Sequence, residues 1–246
     1  MTKTLILIPS RIAATRLPGK PLLKINNLSI ISHVFKRAEE ANIGEVVVAT
    51  EDNEIVADVL KNGGKAVLTN RNHKTGTDRV FEAYKKLDIK NVDYILNLQG
   101  DEPDINKDDI INLNNLMIDN DSEIGTLAAK MKDDEMLRNK NVVKVITENK
   151  LKENNFPLAI NFTRDYLSTN DHDIYHHIGI YSYKVSILEK FINLDQTNNE
   201  KKNKLEQLRA LDNKLKINVA LAKSSPIGVD TEEDYLAIKK IMEYKI

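Results

Sequence analysis

The sequence contains no cysteine, which excludes a disulfide framework, a thiolate metal site and a cysteine nucleophile. No window approaches the ~20 consecutive apolar residues that a membrane-spanning helix requires. The apolar run at the start is too short for a signal peptide and lacks a cleavage segment, so a soluble, cytoplasmic chain is expected. An excess of one charge is missing as well: 36 basic and 37 acidic residues leave a formal charge of −1. That balance argues against nucleic acid or a membrane surface as a partner, and confines any anion site to a few placed cations and backbone amides. The phosphate-loop pattern G-x-x-x-x-G-K-[ST], the dinucleotide pattern G-x-G-x-x-G and the zinc pattern H-E-x-x-H are all absent. With no internal repeat and no low-complexity linker, residues 1–246 read as a single α/β domain.

What is present alternates strand and helix patterns. Residues 5–8 form an unbroken apolar run, as in a strand buried on both faces. A loop follows, "PSRIAATRLPGKP", carrying Arg11, Arg16 and Lys20, with Gly19 between Pro18 and Pro21. It is longer than a simple connection needs to be, and therefore asks for a ligand. Helical spacing returns at residues 30–40 with Ser29 as N-cap, and at 52–61 before Gly63-Gly64. "EVVVAT", "KAVLT" and residues 92–99 read as strands, and "TDRVFEAYKKL" as a helix. Strands separated by helices of this length predict βαβ units and a mainly parallel sheet flanked by helices. After about residue 121 the pattern changes. "EIGTLAAKM", "NVVKVIT", "PLAINF" and "YHHIGIYSY" read as strands, with "TENKLKEN" a hairpin-like turn. An antiparallel β elaboration is expected over about residues 121–222, with helices at 204–213 and 232–244 flanking the strand "KINVALA".

Ligands of open parallel sheets bind beyond the carboxyl ends of the strands, and four polar clusters fall there. In the opening loop, backbone amides near Gly19 with Arg11 and Lys20 suit phosphate oxygens; a solvated basic loop is the plainer reading. "NLQGDEP" places Asp101 at a strand end, where a hard divalent cation could bind, although the same residues make an ordinary turn. In "PIGVDTEEDY" the acids after Thr231 suit a helix start, but Asp230 precedes the cap and is a candidate partner of Asp101 on a shared metal. "KTGTDR" puts Gly76 and Thr77 before a helix and Arg79 in its first turn, a charge that a bound anion would offset, although a plain Gly-Thr helix start is the favoured reading of this piece alone. His33 sits in an amphipathic pattern and reads as structural. His172, His176 and His177 lack zinc spacing. Alternation places His177, Gly179, Tyr181 and Tyr183 on one strand face, either as core or as the lining of a sugar pocket.

Together these segments resemble the CMP-Kdo synthetase (3-deoxy-manno-octulosonate cytidylyltransferase) family, of Rossmann-like sugar nucleotidyltransferase fold. "IPSRIAATRLPGKPL", "VVVATED", "TGTDR", "NLQGDEP", "NVVKVIT", "HHIGIYSYK", "LEQLRAL" and "GVDTEEDY" occur in the family's order along nearly the whole chain. The resemblance implies transfer of CMP from CTP to the anomeric hydroxyl of Kdo, with release of pyrophosphate, supplying lipopolysaccharide biosynthesis. It implies Arg11 and Lys20 on the triphosphate, Asp101 and Asp230 on Mg²⁺, and Ser10, Arg16, Gly76 and Gln99 at the nucleotide. On the sugar side it implies Arg79, Arg164, His177, Tyr181, Glu206 and Gln207, and it implies a homodimer. Three departures from the family pattern are Ser10 in place of Ala, Ser182 in place of Gly, and Tyr166-Leu167 in place of a Pro-Trp pair. They leave an amino analogue of Kdo as an alternative acceptor. A nucleotide- or sugar-binding protein without catalysis is the alternative of another class.

Overall fold

The computed structural model describes residues 2–13, 16–165 and 173–244. It divides into two compact units, Met1–Ile111 with Pro226–Ile246, and Asn112–Ser225. Among the described residues no helix is long and apolar enough to cross a membrane.

The first unit is built on β1 (Thr4–Ser10), whose residues Leu5 to Ile8 are all essentially inaccessible. Consecutive residues point to opposite faces, so burial of all four means that both faces are covered. A two-residue ribbon, β2 (Lys24–Ile25) and β3 (Leu28–Ser29), turns through Asn26 and Asn27, both at positive φ. Asparagine tolerates that region better than other residues with a side chain, which suits it to such a tight hairpin. Then come α1 (Ile30–Glu40), β4 (Gly44–Thr50), α2 (Asn53–Lys61), β5 (Ala66–Leu68), α3 (Gly76–Leu87) and β6 (Tyr94–Asn97). Ser29 caps α1, accepting from the Ser32 amide. β1 pairs in parallel with β4 on one side and β6 on the other, and β4 pairs in parallel with β5. The chain order therefore reverses at β1. The crevice between the ends of β1 and β6 is the switch point where α/β folds bind ligands.

The division between the units falls within α4 (Lys107–Asp119). The second unit contains β7 (Ile124–Ala129), α5 (Asp134–Arg138), β8 (Lys144–Thr147), β9 (Ala159–Thr163), β10 (Asp173–Lys184), α6 (Val185–Ile192), α7 (Asn198–Asn203), α8 (Gln207–Asp212) and β11 (Ile217–Leu221). β10 runs antiparallel to β7 and to β8, β8 antiparallel to β9, and only β11 joins β7 in parallel. The α/β class and the antiparallel second half match expectation. The helix expected at 204–213 starts instead at Gln207, because Lys204 takes φ 53 as the left-handed C-cap of α7. β10 carries two extra residues between Ile178 and Tyr181 relative to β7. An even insertion preserves side-chain alternation, so His177 and Tyr181 remain on one face.

The chain returns to the first unit as α9 (Glu232–Glu243), with Thr231 and Asp234 forming a capping box. Ile238 and Met242 pack with Ile25, Ile30 and Val229. The Tyr235 hydroxyl donates to the Lys24 carbonyl at 2.7 Å, and the Asn26 amide to the Met242 carbonyl at 3.2 Å. The ribbon thus fixes the last helix, and with it the segment that carries Asp230.

Candidate active site

The ends of β1 and β6, the loop after β1, the start of α3 and the turn before α9 enclose one cavity of about 400 Å³. Ser10, Arg11, Arg16, Lys20, Gly76, Arg79, Gln99, Asp101 and Asp230, all singled out from sequence, line it. The loop is held at several points. The Ile12 amide donates to Asp52 Oδ2 at 2.7 Å, and the Gly19 amide to the Ile12 carbonyl at 3.2 Å. Gly19, at φ 73, precedes a single 3₁₀ turn, Lys20–Leu22, in which Pro21 is buried. A side chain rarely adopts that φ, which explains glycine there. The turn aims Lys20 inward.

Lys20 Nζ lies 2.7 Å from Asp101 Oδ2 and 3.2 Å from Asp230 Oδ1. Burial alone would lower the ammonium, but the two carboxylates beside it hold it above its usual value. Arg16 reaches Asp230 from the solvent side at 2.9 Å. Two carboxylates gathered around one positive charge form a hard oxygen donor set that suits a divalent cation. Among the described residues no group of three or more His, Cys, Asp or Glu side chains is placed to hold a metal ion. The protein would therefore contribute two ligands, leaving the rest to phosphate oxygens and water, as Mg²⁺ commonly binds with nucleotides. The residues fit the ion.

Arg79 corrects one expectation. Thr75 caps α3 in a capping box with Asp78, so Gly76 and Thr77 lie inside the first turn rather than before it. The Arg79 guanidinium, 4% exposed, pairs with Glu51 and donates to Thr69 Oγ1 at 2.6 Å. Its charge near the helix start is offset by Glu51, with no bound anion needed for that.

The other five expected residues lie in the second unit. The His177 and Tyr181 rings are 5.4 Å apart, and His177 Nε2 is 3.0 Å from Thr126 Oγ1. That hydroxyl gives its one proton to the Ile180 carbonyl at 2.7 Å, so Nε2–H donates to it. Burial, with His176 adding to it, pushes His177 down to about 3, which leaves the ring neutral at pH 7. Burial raises the Tyr181 phenol well above its usual value, with Tyr183 and Glu206 nearby adding to the effect. Arg209, buried against Glu200 at 2.6 Å, also lies 3.6 Å from Glu206 and supports the start of α8, where Gln207 is buried. Arg164 donates weakly to the carbonyls of Lys140 and Asn141, while its own carbonyl accepts from the fully buried Lys144 at 3.0 Å. His177, Tyr181 and Glu206 thus form one group, and Arg164 is tied to the turn at residues 139–141. His172, Tyr166 and Leu167 lie outside the described residues.

Sequence reading missed four cavity or near-cavity residues. Glu51 and Asp52 end the "VVVATED" segment, and two acids directly after a buried strand were the available signal. Glu102 is buried beside Asp101, its Oε2 has no partner among the described residues, and burial followed by the Asp101 charge pushes it up to about 8. His73, which lines the cavity, carried no sequence signal at all.

A family model described as cytidylyltransferase matches residues 5–217. The chain belongs to the cytidylyltransferase family. A protein of Nitrobacter hamburgensis named 3-deoxy-manno-octulosonate cytidylyltransferase is 43% identical over 246 residues, covering 98% of this chain and 93% of the relative. A Rhodopseudomonas palustris protein of the same name is 44% identical over 248 aligned positions, covering 99% of both. A solved structure titled as CMP:2-keto-3-deoxy-manno-octonic acid synthetase complexed with CTP superposes with a TM-score of 0.90 at 31% identity, covering all of both chains.

Proposed function

We propose that this chain is a 3-deoxy-manno-octulosonate cytidylyltransferase, converting CTP and Kdo to CMP-Kdo and pyrophosphate. The observation that carries this reading is the end-to-end likeness, at 43 and 44% identity, to proteins of that name. The cavity's polar groups support it independently. The anomeric hydroxyl of Kdo loses its proton to solvent as its oxygen attacks the α-phosphorus of CTP, a C–O–P link forms, and the bond from that phosphorus to the pyrophosphate oxygen breaks. Both substrates are anions, so charge must be neutralised before they approach. Arg11, Arg16 and Lys20 do so at the triphosphate, and Lys20, with two of its three donors on carboxylates, keeps one for a phosphate oxygen. Ser10, Gly76 and Gln99 seat the nucleoside. Asp101 and Asp230 would hold Mg²⁺, which would neutralise phosphate charge and lower the pKa of the attacking hydroxyl. Positioning and electrostatics supply most of the acceleration in such a transfer.

Arg164, His177, Tyr181, Glu206 and Gln207 of the second unit take the sugar acid. His177, neutral in its buried site, acts there through hydrogen bonding and not through charge. The active species is a homodimer, which sedimentation checks. The test of acceptor is a panel of Kdo, its amino analogue and N-acetylneuraminate, each with CTP and Mg²⁺, with the sugar nucleotide identified by mass. CMP-Kdo as the main product is expected. A preference for the amino analogue would move the acceptor and point to Ser182 and the Tyr166-Leu167 segment.

A further inference from the structure

His73 lines the same cavity as Lys20 and Asp101, and no role in the reaction described above falls to it. Its Nε2 is hydrogen-bonded to Glu82 of α3. Glu82 gathers two further donors: the Asn70 amide at 2.9 Å and Lys86 Nζ at 2.7 Å. Burial alone would raise this carboxyl, but hydrogen bonds from Lys86, His73 and the Asn70 amide bring it down to about 2. An ionised carboxylate only accepts, so Nε2 carries a hydrogen. The remaining nitrogen, Nδ1, accepts when the ring carries one hydrogen and donates when it carries two, so a phosphate oxygen is met by the doubly protonated ring. Among the described residues Nδ1 has no hydrogen-bond partner, and the side chain remains 18% exposed.

A tether alone does not explain this ring. The Asn70 amide already binds the same carboxylate, and Lys86 also reaches the Leu68 carbonyl at 3.0 Å, so the segment after β5 is fastened to α3 without it. A histidine that lines a cavity and is oriented by a carboxylate through one ring nitrogen, with the other unengaged among the described residues, is arranged to meet a ligand.

We propose that His73 is a ligand-contacting residue of the nucleotide site, anchored through Nε2 to Glu82 and offering Nδ1 to a phosphate oxygen of CTP. This rests on the cytidylyltransferase reading above. The test uses side chains that keep one nitrogen position each: the amide of His73→Asn falls near Nδ1, and that of His73→Gln near Nε2. CTP affinity is measured by calorimetry without sugar acid, beside His73→Ala and beside cytidine, with melting temperatures for all variants. His73→Ala is expected to weaken CTP binding roughly tenfold, as loss of one charge-assisted hydrogen bond does. His73→Asn recovers a large part of that loss and His73→Gln does not, while cytidine affinity and melting temperature stay near wild type. Recovery by His73→Gln instead would assign the ring to the Glu82 tether and overturn the proposal. Equal losses for CTP and cytidine would overturn the phosphate contact, and unchanged CTP affinity in all three variants would overturn any contact. Absence of CTP binding by the wild-type protein would remove the underlying reading as well, an outcome distinct from these three.

Discussion

The Val229 amide donates to the Asp101 carbonyl at 2.9 Å, joining the turn before α9 to the end of β6. That bond makes Asp230 a neighbour of Asp101, and Lys20 lies within 3.2 Å of both. Segments from three distant parts of the sequence supply one charge cluster.

Asp101→Asn and Asp230→Asn keep side-chain shape, and each removes one of the two carboxylates proposed to hold the metal. Each is expected to lower pyrophosphate release by on the order of 10²-fold or more, the scale of losing one group that stabilises transition-state charge. Steady-state turnover at saturating CTP and Mg²⁺ checks this, with circular dichroism confirming the fold. Near-wild-type turnover of either variant takes that carboxylate out of the metal site.

Arg11 is exposed and lines the cavity, and the proposed function puts it on the triphosphate. Arg11→Ala is expected to raise KM for CTP with little change in KM for Kdo. Kinetics at limiting CTP decide it, and an unchanged CTP dependence contradicts the role.

Glu51→Ala strands the Arg79 guanidinium in a site where it is 4% exposed. Removing one partner of a buried ion pair destabilises by about 3–5 kcal/mol. Urea unfolding of the variant should show a loss of that order, and a loss below about 1 kcal/mol would mean Thr69 and water suffice for the charge.

His177 gives the protein an acid sensitivity whose sign is fixed by its lowered pKa. The unfolded ring titrates near 6.5 and the folded one near 3, so the unfolded state binds more protons between those values. The stability that depends on the neutral ring is fully present above 6.5. It is lost as pH falls toward 3, at up to about 1.4 kcal/mol per pH unit. Unfolding free energies at pH 7.5, 6 and 5 should fall less steeply in His177→Gln than in wild type, and identical slopes would contradict the assignment.

Two glycines around the cavity separate backbone strain from crowding. A Cβ at Gly19 meets nothing within 4 Å, so Gly19→Ala carries only the positive-φ penalty, about 1–2 kcal/mol. At Gly100 the added carbon would stand 3.0 Å from the Pro9 carbonyl, between the ends of β6 and β1. Gly100→Ala should therefore shift the cavity wall and lower turnover more than Gly19→Ala does, which parallel assays of both variants will show.

The parts of this fold that were readable in the sequence are those where one strand or helix decides its own pattern. Burial on both faces left β1 as a plain apolar run, and Ser29 before an amphipathic stretch marked the start of α1. Arg11 and Asp101 were readable because they lie just beyond strand ends, and Asp230 because it precedes a helix cap, whereas Glu51 and Asp52 also follow a strand and were missed. Elements α4 to α7 were missed for local reasons. The sequence of α6, "VSILEKFI", continues the apolar run of β10 without a break, and Lys204 ends α7 in a left-handed turn that no glycine announces. His73 and Glu82 are nine positions apart and meet only because α3 folds back beside β5, a relationship carried by tertiary packing alone.

The most direct measurement is pyrophosphate release from the purified chain with CTP, Mg²⁺ and Kdo, and with each omitted in turn. Release that requires all three is the predicted result. Release unaffected by omitting Kdo, or none with all three present in folded protein that binds CTP, would contradict the account.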